Sequence, residues 1–130
     1  MSEFGTITAR VFTSSSMLPI EGAAVLFYRK TTAGENELLG MRVTDFDGYT
    51  DPVSVPTPDA DSTDVSSSGE TPYAVLNVLT AQPGYNRILV RNAQVFTGVR
   101  TLQELRLVPT PALAEQFGRL DVYDIPPQEL

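Results

Sequence analysis

Thr44-Asp45-Phe46-Asp47-Gly48-Tyr49-Thr50 is a tight polar turn between two strand-like runs, Leu38-Leu39-Gly40-Met41-Arg42-Val43 before it and Thr50-Asp51-Pro52-Val53-Ser54-Val55 after it. Glycine takes positive φ without a Cβ clash, and a turn aspartate accepts hydrogen bonds from backbone N–H groups one or two residues on. Asp-Gly between short apolar runs is a strong local signal for chain reversal. It predicts a hairpin closing a strand pair in an all-β chain.

The rest of the chain repeats the pattern. Over residues 5–12, Ile7, Ala9 and Val11 alternate with Thr6, Thr8 and Arg10, the period of a half-buried strand. Pro19 opens a second run to Arg29, in which Gly22, Ala23 and Ala24 predict close approach of another backbone. Val25 and Phe27 on one face and Leu26 and Tyr28 on the other make this strand central. A polar hairpin loop over 30–37 has Gly34 at its tip, and Leu38–Val43 returns. Val53 and Val55 continue the alternation until Pro56 and Pro58. Tyr73–Ala81 is rich in β-formers and ends at the turn pair Pro83-Gly84. Residues 86–92, a short piece at 94–96 and a last strand at 101–108 complete a set of about seven or eight strands. That pattern predicts an antiparallel β-sandwich over residues 1–109, followed by a tail over 110–130. Within the tail, Ala112–Phe117 predicts a short helix stopped by Gly118. The extended remainder is too apolar for a linker. Its Leu120, Val122, Tyr123 and Ile125 are the candidate partner-binding residues: this piece either packs on its own sandwich or adds a strand to a neighbouring copy.

A chain of 130 residues and net charge −7 is one acidic domain. Such a surface repels phosphate backbones, so neither nucleic acid nor an anionic membrane face is an expected partner. There is no Cys, hence no disulfide, thiolate metal site or Cys nucleophile, and no His, hence neither the commonest general base nor the commonest zinc ligand. Asp45, Asp47 and Asp51 occupy turn positions, where aspartate is favoured for backbone reasons, so no catalytic residue and no cofactor is assigned. Residues 57–71, with Asp59, Asp61, Asp64, Glu70 and four Ser, predict a long, mobile surface loop. Asp59, Asp61 and Asp64 are weak calcium candidates, because their spacing departs from the Asp-x-Asp-x-Asp-Gly loop with a later Glu. Met1-Ser2-Glu3-Phe4-Gly5-Thr6 lacks the basic and apolar regions of a signal peptide, and no apolar run reaches the ~18 residues of a membrane span.

Pro19-Ile20-Glu21-Gly22-Ala23-Ala24-Val25 resembles the Pro-hydrophobe-x-Gly-Ala-x-Val strand of carboxypeptidase-regulatory-like domains. Thr44-Asp45-Phe46-Asp47-Gly48-Tyr49 resembles their Thr-Asp-x-x-Gly hairpin, and Tyr73 to Val78 with Ala81 and Gly84-Tyr85 resembles their Tyr-x-Val segment. These pieces fall in order between residues 5 and about 108. The resemblance implies a transthyretin-like (prealbumin-like) sandwich of about seven strands. A narrower one, over residues 88–99 with Gln103, Leu105, Leu107, Pro109 and the closing Pro126-Pro127-Gln128-Glu129-Leu130, is to the non-catalytic module of clostridial spore cortex-lytic enzyme precursors. Zinc carboxypeptidase activity and transthyretin-like hydrolysis of purine intermediates both rest on His, which this chain lacks. The single lysine, Lys30, sits at a strand end, where it does not suit the buried Lys–Asn isopeptide staple of some surface adhesins.

The expected function is therefore a non-enzymatic structural or attachment module of a cell-surface, spore or extracellular assembly, self-associating through its C-terminal tail or binding another envelope protein. The alternative is a monomeric module that binds cell-wall polymer or carbohydrate beside a peptidoglycan-lytic enzyme, with Tyr49, Tyr85 and Phe96 as candidate contacts and a core role open for the last two. A phage or other particle component is the third possibility.

Overall fold

The structure is a computed structural model and describes residues 3–14, 16–31, 33–58, 73–110 and 120–125. It contains eight strands: β1 (Glu3–Thr13), β2 (Ala24–Lys30), β3 (Asn36–Val43), β4 (Val53–Thr57), β5 (Tyr73–Ala81), β6 (Arg87–Phe96), β7 (Arg100–Leu107) and β8 (Leu120–Asp124). They form a three-stranded sheet, β4-β1-β7, and a five-stranded sheet, β3-β2-β5-β6-β8. The calcium candidates Asp59, Asp61 and Asp64 and the expected helix over 112–117 lie outside the described residues.

The alternation read in the sequence builds the core. Ile7, Ala9 and Val11 of β1 face Val25 and Phe27 of β2, Leu76 and Val78 of β5 and Ile88 of β6, all fully or almost fully buried. Each such side chain stabilises the fold by about 1.5–3 kcal/mol relative to leaving it exposed. The all-β sandwich is thus present. It is mixed rather than purely antiparallel, since β1–β7 and β6–β8 pair in parallel. Parallel partners need a long crossover instead of a hairpin, and the pairing of β6 with β8 uses the passage through β7 in the other sheet for it.

The turn at residues 44–50 is not the hairpin its local sequence predicts. β3 belongs to the large sheet and β4 to the small one, so the turn carries the chain between layers. Its interior is as expected: Asp45 Oδ1 accepts from the N–H groups of Asp47 (2.9 Å) and Tyr49 (3.0 Å), and Gly48 has φ +84°. A Cβ on Gly48 would stand 2.5 Å from the Val11 carbonyl oxygen. Two threonines then tie the crossover to both layers. The buried Thr44 hydroxyl donates to the Ile20 carbonyl (2.6 Å) and accepts from Ala23 N–H (2.9 Å). Thr44 N–H donates to the Ala23 carbonyl, and its own carbonyl accepts from Gly22. At the far end Thr50 Oγ1 accepts from Ala9 N–H (3.0 Å) and Thr50 N–H donates to the Ala9 carbonyl (2.9 Å).

Two local expectations change. Gly22 is required by its turn conformation, φ +84°, with nothing near its missing Cβ; the close approach is at Gly5, where a Cβ would collide with the Phe96 carbonyl and Val95. Residues 86–92 and 94–96 are a single strand, β6, bent where two of its residues oppose Asn77. Asn92 sits there at φ +66°, and its N–H donates to Asn77 Oδ1 (3.2 Å). Asparagine tolerates this left-handed conformation better than most residues, and bulges use it. As expected, β2 is internal to its sheet, and among the described residues its outer face is covered by no second layer.

Thr44→Val is nearly isosteric and leaves the Ile20 carbonyl and Ala23 N–H without their buried partner. It should lower unfolding free energy by about 1–3 kcal/mol in urea melts, whereas Thr44→Ser should retain most of the stability.

Candidate binding surfaces

The outer face of the five-stranded sheet carries an unbroken apolar row. Met41, Leu26, Leu79, Leu89 and Val122 are successive register partners across β3, β2, β5, β6 and β8. The two ends of the row are the most open, Met41 at 57% and Val122 at 45% exposure. Leu38, Val43 and Val75 add exposed apolar surface on the same strands. A solvent-facing sheet surface ordinarily alternates to polar residues, so this row departs from the pattern at every strand it crosses.

The tail strand completes this face. β8 pairs in parallel with β6, from Arg87↔Leu120 to Arg91↔Asp124, so the tail lies on its own sheet. One row beyond Leu89–Val122, Arg91 donates to both carboxylate oxygens of Asp124, from Nε at 2.6 Å and from the second guanidinium nitrogen at 3.2 Å. That hydrogen bond, and then charge attraction against a smaller desolvation effect, raises the Arg91 pKa. On Asp124 the same hydrogen bond lowers the pKa, opposed by desolvation and supported by charge attraction. Both groups are solvent-exposed, and exposed pairs stabilise weakly; the pair fixes where β8 lies more than how firmly.

A second concave surface opens between β7 and β8. It has a volume of about 400 Å³, with Leu105, Ile88 and Val90 as its floor and Tyr123 and Ile125 as its overhang. The tail residues singled out in the sequence thus divide between two surfaces: Val122 ends the apolar row, while Tyr123 and Ile125 line the cleft. Leu120 is the register partner of Arg87.

The other candidates are dispersed. Tyr85 packs against the core, Phe96 stacks on Tyr73 with ring centres 5.2 Å apart, and Tyr49 is exposed near the Arg10 guanidinium. Lys30 is exposed at the end of β2. Asp45 is engaged by its own turn, and Asp47 and Asp51 are exposed. Among the described residues no group of three or more His, Cys, Asp and Glu side chains could hold a metal ion. No helix of the described residues is long and apolar enough to cross a membrane. The apolar row was partly legible in the two apolar faces of residues 24–28; its extent depends on register, which no single strand encodes.

No family model matches the chain, and no curated protein matches it. Solved structures do match its fold. The Bacillus anthracis TIE protein is similar over 83% of this chain and 17% of its own, at 14% identity and a TM-score of 0.50. Hydroxyquinol 1,2-dioxygenase from Pseudomonas putida DLL-E4 is similar over 85% of this chain and 58% of its own, at 11% identity and a TM-score of 0.56. Wild-type Acinetobacter radioresistens catechol 1,2-dioxygenase is similar over 93% and 58%, at 14% identity and a TM-score of 0.52. The chain therefore spans a sixth to three fifths of these proteins' lengths, and at such identities the likeness is one of fold.

Asp124 has its pKa lowered in the folded chain, so its contribution to stability is present above the ordinary aspartate range and is lost as pH falls through the depressed value. Amide protection of Tyr123 and Ile125, whose N–H groups face β6, should therefore fall on acidification before that of β5, as read by hydrogen exchange. Asp124→Asn should remove this pH step and leave β5 unchanged.

Proposed function

We propose that this sandwich is a non-enzymatic structural or attachment module that self-associates through the outer face of its five-stranded sheet, with the C-terminal strand as part of the contact. The observation that carries this reading is the row Met41–Leu26–Leu79–Leu89–Val122, apolar on all five strands. A second copy is its occupant because the face suits itself. The row itself is uncharged, and on one side of it Arg91 and Asp124 neutralise each other. Two sheets also pack face to face through their apolar faces, at an angle set by their twist.

Size sets the strength of the contact. Five strands at a spacing of about 4.8 Å make a face about 24 Å wide. One apolar row of that width falls well short of the ~800 Å² per partner of a standard stable interface. A contact of this size suits a repeating assembly, in which many weak contacts add, rather than a tight isolated dimer. The setting proposed for such an assembly is the spore or cell envelope, by the resemblance of residues 88–99 to the companion modules of cortex-lytic enzyme precursors.

Sedimentation velocity over a wide concentration range tests the reading. The average mass of the wild type should rise above the 14.1 kDa of one chain as concentration increases. Leu89→Lys and Met41→Lys should hold it at one chain while leaving the thermal melt in place. A wild type that stays monomeric throughout rejects self-association and leaves the module with a partner of another kind.

A further inference from the structure

Among the described residues the two sheets are unequal, and one side of β7 has no strand partner. β7 is the edge of the small sheet and β8 the edge of the large one. The cleft between them has β7 residues 103–106 along one side and Tyr123 and Ile125 of the tail along the other. A fourth strand of the small sheet would lie in this place, beside β7 and beneath β8.

The β7 edge has the backbone chemistry to accept it. Thr6 N–H donates to the Val99 carbonyl and Ser14 N–H to the Leu107 carbonyl, at the two ends of an unbroken parallel register from Thr6↔Arg100 to Thr13↔Leu107. In a parallel ladder alternate residues turn their N–H and C=O groups to the same side. Thr101, Gln103, Leu105 and Leu107 therefore face β1, and Leu102, Glu104 and Arg106 turn their backbone groups to the open edge. The edge closes at its C-terminal end, where the Val108 carbonyl accepts from Asn86 and Thr110 donates to Gly84. One further acceptor, the Glu104 carbonyl, is covered by the Gln103 side-chain amide at 3.1 Å. Native sheets guard exposed edges in this way, and a side-chain guard is displaceable.

Side chains fix which strand fits. On the cleft side the neighbours are Ile88, Val90, Leu105 and Tyr123, which take apolar residues. On the solvent side the neighbours are Leu102, Glu104 and Arg106. Glu104 already pairs with Arg10 at 3.5 Å. Arg106 lies over the Phe12 ring, 5.6 Å from its centre, and no carboxylate among the described residues pairs with it. In a chain of net charge −7 an unneutralised arginine beside an open edge favours an incoming carboxylate.

We propose that β7 and the cleft under β8 form an acceptor site for an extended peptide segment of a partner protein, apolar at alternate positions and carrying an Asp or Glu beside Arg106, which adds as a fourth strand to the small sheet. This site is separate from the sheet face proposed above for self-association and does not depend on it.

The test uses the full chain carrying Leu89→Lys, so that self-association does not enter. The probe is a library of synthetic eight-residue peptides with Val, Ile, Leu or Phe at alternate positions and Asp, Glu, Ser or Thr between them. Binding is followed by amide chemical shifts and hydrogen exchange. Peptides that bind should shift and protect the amides of Leu102, Glu104 and Arg106 and shift those of Tyr123 and Ile125. Arg106→Glu should weaken the acidic peptides about tenfold and spare those with Ser or Thr at that position. Leu102→Pro removes only an open-edge donor, which edge strands tolerate, and should abolish binding while the fold is retained. N-methylation of the peptide on the amides that face β7 should do the same. The proposal is overturned if no peptide binds below about 1 mM, if the shifts fall on the sheet face or elsewhere, or if N-methylated peptides bind as well as unmodified ones.

Discussion

A chain that crosses from one layer of a sandwich to the other must do so without stranding buried backbone groups, and here two threonine hydroxyls meet that constraint. An unpaired buried N–H or C=O costs about 1–3 kcal/mol. The crossover at residues 44–50 lies between the named strands of the two sheets, and its backbone bonds to Ala23, Val11 and Ala9 are completed by the two threonine side chains. Thr44 serves the loop before β2, and Thr50 serves β1. The result is a fixed offset between the sheets. β1 then divides its backbone by parity: Ala9 and Val11 bond to the crossover, and Thr6 and Ser14, at the other parity, bond to the β7 side. Once Thr50 is seated on Ala9, the side of β1 left for β7 is determined, and so is the face that β7 turns to solvent.

The same offset accounts for the inequality of the layers. The small sheet gains β4 directly after the crossover and stops at three strands, while the large sheet takes up the tail as its fifth. The tail residues face two ways because strand neighbours alternate sides. Val122 extends the outer row, and Tyr123 and Ile125 overhang the gap beside β7. A single short strand thus finishes one surface and opens another. Beside its ladder to β6 and the packing of Ile125 on the core, β8 is held by the exposed Arg91–Asp124 pair, and such pairs stabilise weakly.

What could be read in the sequence follows from the range over which each signal acts. β-propensity and period-two alternation are local; the first located Tyr73–Ala81 to the residue and the second Gly5–Phe12 within one or two. The internal bonding of the Asp-Gly turn is local too, and it matched the structure in Asp45 and Gly48. The sheet to which the next strand belongs is not local. Nothing between Val43 and Val53 distinguishes a hairpin from a crossover, because the deciding partners, Ala9 and Ile20, lie 41 and 24 residues away in sequence. Glycine behaved likewise: a glycine's type reveals tolerance, not its reason, and the close approach expected at Gly22 lies at Gly5 instead. The break seen between Asn92 and Gln94 was real in conformation, but a bulge, not an end, produced it. The apolar row needed four registers to align before it existed at all.

The two proposed contacts differ in their electrostatics, and this bears on how they would coexist. Copies of a chain with net charge −7 repel one another, and salt weakens that repulsion, since the screening length is about 10 Å at 0.1 M. Contact through an uncharged apolar row therefore strengthens as salt rises. Capture of an acidic strand beside Arg106 uses attraction between unlike charges, and the same screening weakens it. Low salt favours an extended partner strand in the small sheet, and high salt favours sheet faces stacked on one another. Opposite responses of this kind arise because Arg106, which no carboxylate among the described residues neutralises, and the apolar row lie on different sheets.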